Sequence, residues 1–289
     1  MTLTSFVEEE RMTNTKYTGY KELILTEEQT SQMYNEGHID GYDFVENEYL
    51  IAKNTNGDVF DHLVFRNGKL SQIPYQILDN YYLGRIKPRN DQQQLVIDTL
   101  LHPHSKVKLI KGVYGSGKDY LMLAAALQLV EKKKFDKIVF LRPNVSVKGL
   151  PDIGSLPGTA VEKLAWTLAP LWDKVGGEEG VGFMIQNGML ESVPMLFIRG
   201  RSFEKSIVYV TEGQNMTTEI VKLVLGRIGE GSELWLNADT SQTDKKLFDE
   251  DNGVNRMIER LTGNPLFSYV FMPKTERSAV AELATLLSD

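Results

Sequence analysis

The stretch 112-GVYGSGKDYL-121 decides how this sequence is read. Its spacing is that of a phosphate-binding loop, G-x-x-x-x-G-K-[ST], in which Gly112, Val113, Tyr114, Gly115, Ser116, Gly117 and Lys118 would wrap an anion. Glycines let successive backbone N–H groups turn inward, and the helix that follows adds the positive end of its dipole. Lys118 would neutralise β/γ-phosphate charge. The context agrees. The run 107-VKLIKG-112 predicts a strand before the loop, and 118-KDYLMLAAALQLVEKK-133 predicts a helix after it, with Asp119 and Tyr120 in its first turn.

Asp119 is the departure, because a hydroxyl usually follows the lysine. A first-turn carboxylate is favoured by the helix dipole whatever the ligand. It is also a hard oxygen donor suited to Mg²⁺. A second run, 206-SIVYVTE-212, ends in Thr211-Glu212 where such strands ordinarily end in Asp-Glu. Hydroxyl and carboxylate have changed places between the loop and the second strand, which leaves the local formal charge unaltered. Asp119 and Thr211 are therefore the candidate metal pair, with Mg²⁺ expected and Mn²⁺ as the variant. Glu212 is the candidate to orient and deprotonate water. Degeneration of the site is the competing reading. From the third strand end, 236-LNADTSQTD-244, Asp239 and Gln242 project toward the same place or serve as cap and loop hydrogen-bonders.

The rest of the chain frames this core. It has 289 residues, 42% hydrophobic and 25% charged, enough for a substantial core in one or two domains. The absence of cysteine excludes disulfides and thiolate metal sites. No stretch is apolar enough to span a membrane, so a soluble cytoplasmic protein is expected. The net charge of −7 is concentrated in residues 1–88, with 14 acidic and 8 basic side chains, which lowers the expectation of a nucleic-acid anchor there. Residues 1–16 read as a disordered tail. Residues 17–80 read as a small α+β or β-rich accessory domain: Thr26 caps a short helix, and Asn56-Gly57 and Asn67-Gly68 mark hairpins. From 89 to 289, strands alternate with amphipathic helices, which predicts an α/β domain with a mostly parallel sheet covered on both faces and a long insertion at about 144–200.

Together these pieces resemble the PhoH-like ATPases, a branch of P-loop proteins with a RecA-like core related to superfamily I helicases. The motifs that carry the resemblance are 88-PRNDQQQLVIDTLL-101, the loop itself, 141-LRPNV-145, 154-GSLPGTAVEKLAWTLAPLWD-173, 199-RGRSF-203, 211-TEGQNMT-217, 226-GRIGEGSELWLNADTSQTD-244 and 275-TERSAVAEL-283. The resemblance implies ATP or ADP as ligand, with Gln93 contacting adenine, Gly115, Gly117 and Lys118 holding phosphate, and Glu212 as catalytic acid. It implies a sensor role for Asp239 with Gln242. Arg142 and Arg277 match arginines of the family, Arg277 being the first candidate for a finger supplied across a subunit interface.

It further implies self-association in a ring, expected to be a hexamer, and ATP hydrolysis with RNA binding, remodelling or unwinding. Long members carry a PIN-type ribonuclease domain, for which no carboxylate cluster is evident in this sequence. The family pattern has Gly before the sensor Asp and Ala after the strand-end Glu, where this chain has Asn237-Ala238 and Gly213. The alternative expectation is a ring stabilised by nucleotide with little or no turnover. A phosphate-transferring kinase is the weakest reading, since the segments 164-LAWTLAPLW-172 and 189-MLESVPMLFI-198 read as packing surfaces rather than as a lid.

Overall fold

The computed structural model describes residues 17–143, 168, 171, 173–239 and 251–276. The expected tail, residues 144–167, 169, 170 and 172 of the insertion, Gln242, Arg277 and the expected C-terminal helix lie outside the described residues.

A small sheet comes first. It runs β1 (Tyr20–Ile24), β2 (Tyr49–Lys53), β3 (Val59–Arg66) and β4 (Lys69–Gln72), in that spatial order. Helix α1 (Glu27–Glu36) crosses between β1 and β2, which pair in parallel, and the other pairs are antiparallel. The expected cap is present: Thr26 and Gln29 bond reciprocally to each other's backbone, and Gly37 closes the helix in the left-handed region. Sequence reading missed β1. Its burial alternates weakly, and its strand character comes from pairing with β2, whose residues lie 29 positions further along the chain.

A short hairpin, β5 (Leu78–Asn80) with β6 (Gly84–Ile86), leads into α2 (Asp91–Leu101). There follow β7 (Val107–Gly112), α3 (Lys118–Glu131), β8 (Lys137–Arg142), α4 (Gly177–Gln186), β9 (Leu190–Pro194), β10 (Ser206–Val210), α5 (Thr218–Leu225), β11 (Glu233–Ala238), α6 (Gly253–Leu261) and β12 (Phe267–Met272). The six later strands form one all-parallel sheet in the order β12-β7-β11-β10-β8-β9. This is the α/β, RecA-like arrangement expected from the sequence. The segment around Leu190–Pro194, expected to be a packing surface, is instead the edge strand beside β8. It could not be told from a packing run by its own pattern, because strand identity there depends on the register against β8.

The sheet is buried on both faces, which is why its strands read as continuous apolar runs. Side chains alternate between two cores. Ile207 and Tyr209 of β10 and Trp235 of β11 pack with α2 and α3, while Val208, Val210, Leu234 and Leu236 pack with α5 and α6. The small sheet shares the first core through Tyr49, Ile51 and Val64. It is also tied to α2 by a buried ion pair, Arg66 to Asp98 at 2.9 Å, and by the Tyr49 hydroxyl donating to Asp98 at 2.9 Å. Among the described residues no helix is long and apolar enough to cross a membrane.

Candidate active site

The loop between β7 and α3 sits at the C-terminal end of β7, which lies between β12 and β11, and open parallel sheets hold their ligands at that end. Two glycines shape it. Gly112 lies against β12, and a Cβ there would stand 2.6 Å from the Met272 carbonyl oxygen. Gly117 caps α3 at φ 90°, ψ 7°, a conformation that L side chains rarely adopt. The turn opens on a cleft of about 810 Å³. Lys118 is buried in it and donates to the carbonyls of Gly112 at 2.7 Å and Val113 at 2.8 Å, spanning the loop from inside.

Several donors in this loop have no partner among the described residues. They are the backbone N–H groups of Gly115, Gly117 and Asp119. The Ser116 hydroxyl is fully buried and likewise unsatisfied. Buried polar groups are nearly always paired, and a ring of unpaired N–H groups at a helix N-terminus matches an anion. The residues present therefore fit a phosphate chain.

Asp119 and Thr211 face each other. The Thr211 hydroxyl donates to Asp119 Oδ1 at 3.5 Å, and Thr211 itself is buried behind Asp119 rather than lining the cleft. The same Oδ1 accepts from the Tyr209 hydroxyl at 2.8 Å and from Asn237 Nδ2. Burial, reinforced by the adjacent Asp119 carboxylate, holds the Tyr209 phenol well above its ordinary range, so it remains a protonated donor. No hydrogen bond engages Oδ2 among the described residues. A carboxylate with one oxygen fixed and one open is a suitable donor for a hard cation, so the residues fit a divalent ion at Asp119.

Glu212 follows β10 in the left-handed region, at φ 56° and ψ 36°. That conformation costs a non-glycine residue on the order of 1–3 kcal/mol and is concentrated at functional sites. Gln214 Nε2 donates to Glu212 Oε2 at 2.7 Å, while Gln214 Oε1 accepts from the Asp239 backbone N–H at 3.0 Å. Gln214 thus links the two carboxylate positions, and all three residues line the cleft with Lys118 and Asp119. Gly213, where the family pattern has Ala, has a negative φ, and a Cβ there would approach the Asn237 carbonyl oxygen at 3.0 Å.

Gln93 also lines the cleft, but both ends of its amide are engaged. Its oxygen accepts from the Arg89 N–H at 2.9 Å, and its nitrogen donates to the Ser116 carbonyl at 3.2 Å. It therefore ties the loop to the segment before α2. Asn90 caps α2 by accepting from the Gln93 N–H at 2.9 Å, and it donates to Glu276, whose own N–H bonds the Gly115 carbonyl at 3.0 Å. Arg85, Lys87 and Arg89 form a basic wall beside Gln93. Tyr114 and Tyr120 are part-exposed at the rim. Arg142 ends β8, three strands from β7, and is not among the cleft-lining residues.

Sequence reading missed Gln214, Tyr209, Asn237, Glu276 and the basic wall. One signal was legible: Tyr209 stands two positions before Thr211 and so shares its face of the strand.

Comparison with known proteins gives the same frame. The profile of the family described as "PhoH-like protein" matches residues 85–285, a span that begins at the basic wall and takes in every cleft residue. The chain belongs to the PhoH-like family. It is 31% identical over 283 residues to Protein PhoH2 of Bacillus subtilis, covering 93% of this chain and 63% of that protein. It is 34% identical over 204 residues to Protein PhoH2 of Thermobispora bispora, covering 69% and 47% respectively. It is 33% identical over 138 residues to Protein PhoH of Escherichia coli, covering 46% and 38%. The chain therefore spans less than two thirds of the length of these relatives. PhoH-like membership and the P-loop geometry together support nucleotide binding at the cleft.

Proposed function

We propose that this PhoH-like chain binds ATP in the cleft and hydrolyses it with a divalent cation, Mg²⁺ or Mn²⁺, held at Asp119. The observation that carries the reading is the meeting of the two exchanged positions. Asp119 at the start of α3 and Thr211 just past β10 meet at 3.5 Å, next to the cleft that Lys118 and Glu212 line. An exchange of roles requires such a contact, whereas decay of a site gives no reason to keep it.

The chain's own groups divide the work. The N–H groups of Gly115, Gly117 and Asp119 bind phosphate oxygens, and Lys118 turns from the loop carbonyls to the β/γ-phosphates. Glu212, held by Gln214, orients a water molecule and takes its proton. Asp119 offers Oδ2 to the cation, with Thr211 behind it in a supporting position. When bound, the cation supplies positive charge against the phosphate oxygens. Gln93 and the wall from Arg85 to Arg89 take the base end. Asp239 with Gln242 senses the terminal phosphate, and Arg277 or Arg142 supplies further charge. Coupling to RNA and assembly into a hexameric ring belong to the same proposal.

The test is steady-state phosphate release from ATP and Mg²⁺, with and without single-stranded RNA, on the wild type and Glu212→Gln. Turnover in the wild type that falls by ~10²–10⁴-fold in the variant is the expected result. Stimulation by RNA extends the reading to remodelling. No turnover in either protein, with Mg²⁺ or Mn²⁺, overturns it in favour of a nucleotide-stabilised assembly.

A further inference from the structure

We propose that Tyr209 and Asn237 are positioning residues that make Asp119 behave as a one-oxygen ligand. The inference rests on the reading of Asp119 as the cation ligand and adds how that ligand is set.

A threonine or serine after the loop lysine presents a single oxygen. An aspartate presents two, along with a full negative charge and a side chain free to turn toward Lys118 or toward the phosphates. The structure supplies what removes that freedom. Tyr209 of β10 and Thr211, one residue past its end, lie on the side directed at α3, and Asn237 falls on the same side in β11. Because β10 and β11 pair in parallel with Tyr209 opposite Trp235, the three side chains reach the start of α3 together. All three donate to Oδ1 and none to Oδ2.

The carboxylate plane is thereby fixed from two neighbouring strands, which leaves Oδ2 as the oxygen without a donor among the described residues. Tyr209 is 1% exposed and Asn237 4%, so their donors act with little competition from water.

The experiment measures binding of the fluorescent, non-hydrolysable analogue mant-AMPPNP in EDTA, in Mg²⁺ and in Mn²⁺. The readout is the gain in affinity on adding metal. The wild type is expected to show a gain that Asp119→Asn abolishes. Tyr209→Phe and Asn237→Leu are expected to reduce the gain ~10-fold or more, as removal of partners behind a metal ligand does. Their affinity in EDTA should stay within about twofold of wild type, a split that a general packing defect would not produce.

A gain lost in Asp119→Asn but unchanged in Tyr209→Phe and Asn237→Leu overturns the positioning role and leaves the cation at Asp119. Equal weakening with and without metal, together with a lowered melting temperature, also overturns it, since the residues then only support the fold. No gain in the wild type removes both this inference and the cation reading. Should Tyr209→Phe fail to fold, Asn237→Leu decides alone.

Discussion

The two ends of the central sheet each carry a buried charged cluster, and they are finished differently. At the end away from the loop, Lys108 of β7 and Glu233 of β11 are paired at 2.8 Å and are 1% and 2% exposed. Lys108 also donates to the carbonyls of Leu100 at 2.9 Å and His102 at 2.8 Å. Glu233 further accepts from Lys106 at 3.3 Å and from Trp235 Nε1 at 3.0 Å. Burial lowers the Lys108 ammonium to about 8, against the opposing pull of Glu233. At the loop end, Asp119 has one oxygen held and one open, Ser116 has an unpaired hydroxyl, and loop N–H groups point at no acceptor among the described residues. A closed cluster can only hold strands together. An open one is incomplete without a ligand.

This contrast can be broken at either end. The largest effect is expected at the open end, where Glu212→Gln should lower turnover ~10²–10⁴-fold while leaving the unfolding free energy within ~0.5 kcal/mol of wild type. At the closed end the order reverses. Lys108→Met leaves the buried Glu233 with only the longer, partly exposed contact to Lys106 at 3.3 Å as its cationic partner and should cost ~3–5 kcal/mol in urea unfolding. The nucleotide affinity of the molecules that remain folded should not change. A large fall in that affinity would show that the two ends are coupled and would erase the distinction.

Asn90→Ala probes the border, because Asn90 both caps α2 and reaches Glu276. It is expected to cost ~1 kcal/mol of stability and to weaken nucleotide binding, since the loop loses a tether. The smallest effect is a pH slope. Burial lowers His102 from its ordinary 6.5 to about 4, with Arg66 adding repulsion. Between those values the unfolded chain binds a proton that the folded chain does not. Stability from this group is therefore complete above pH 6.5 and is lost as the pH falls toward 4. His102→Asn should flatten the dependence of the unfolding midpoint on pH over that window. The main-chain carbonyl that receives Lys108 is retained in that variant.

Legibility followed the range of the interactions. The loop, the strand before it and the helix after it were readable because each is specified by adjacent residues: glycine conformations, an apolar run, a helical period. The small sheet's hairpins were readable from Asn-Gly pairs for the same reason. Strands β1 and β9 were not, since an edge strand with mixed burial is defined by the neighbour it pairs with. Helix α6, capped by Asn252, was also missed, although Val254, Met257, Ile258 and Leu261 give it an apolar face at helical spacing.

The sequence by itself determined the α/β class, the phosphate loop, the exchange at Asp119 and Thr211 and the place of Glu212. These rest on spacing and on residue chemistry, which need no partner from elsewhere in the chain. Only the tertiary structure decided that Tyr209 and Asn237 share Asp119 Oδ1, that Gln214 joins Glu212 to the Asp239 backbone, and that Gln93 braces the loop. Those contacts join residues two to more than a hundred positions apart. They arise from the register of parallel strands and from which side of the sheet a residue faces, and register is set by the packing of the whole core on both faces.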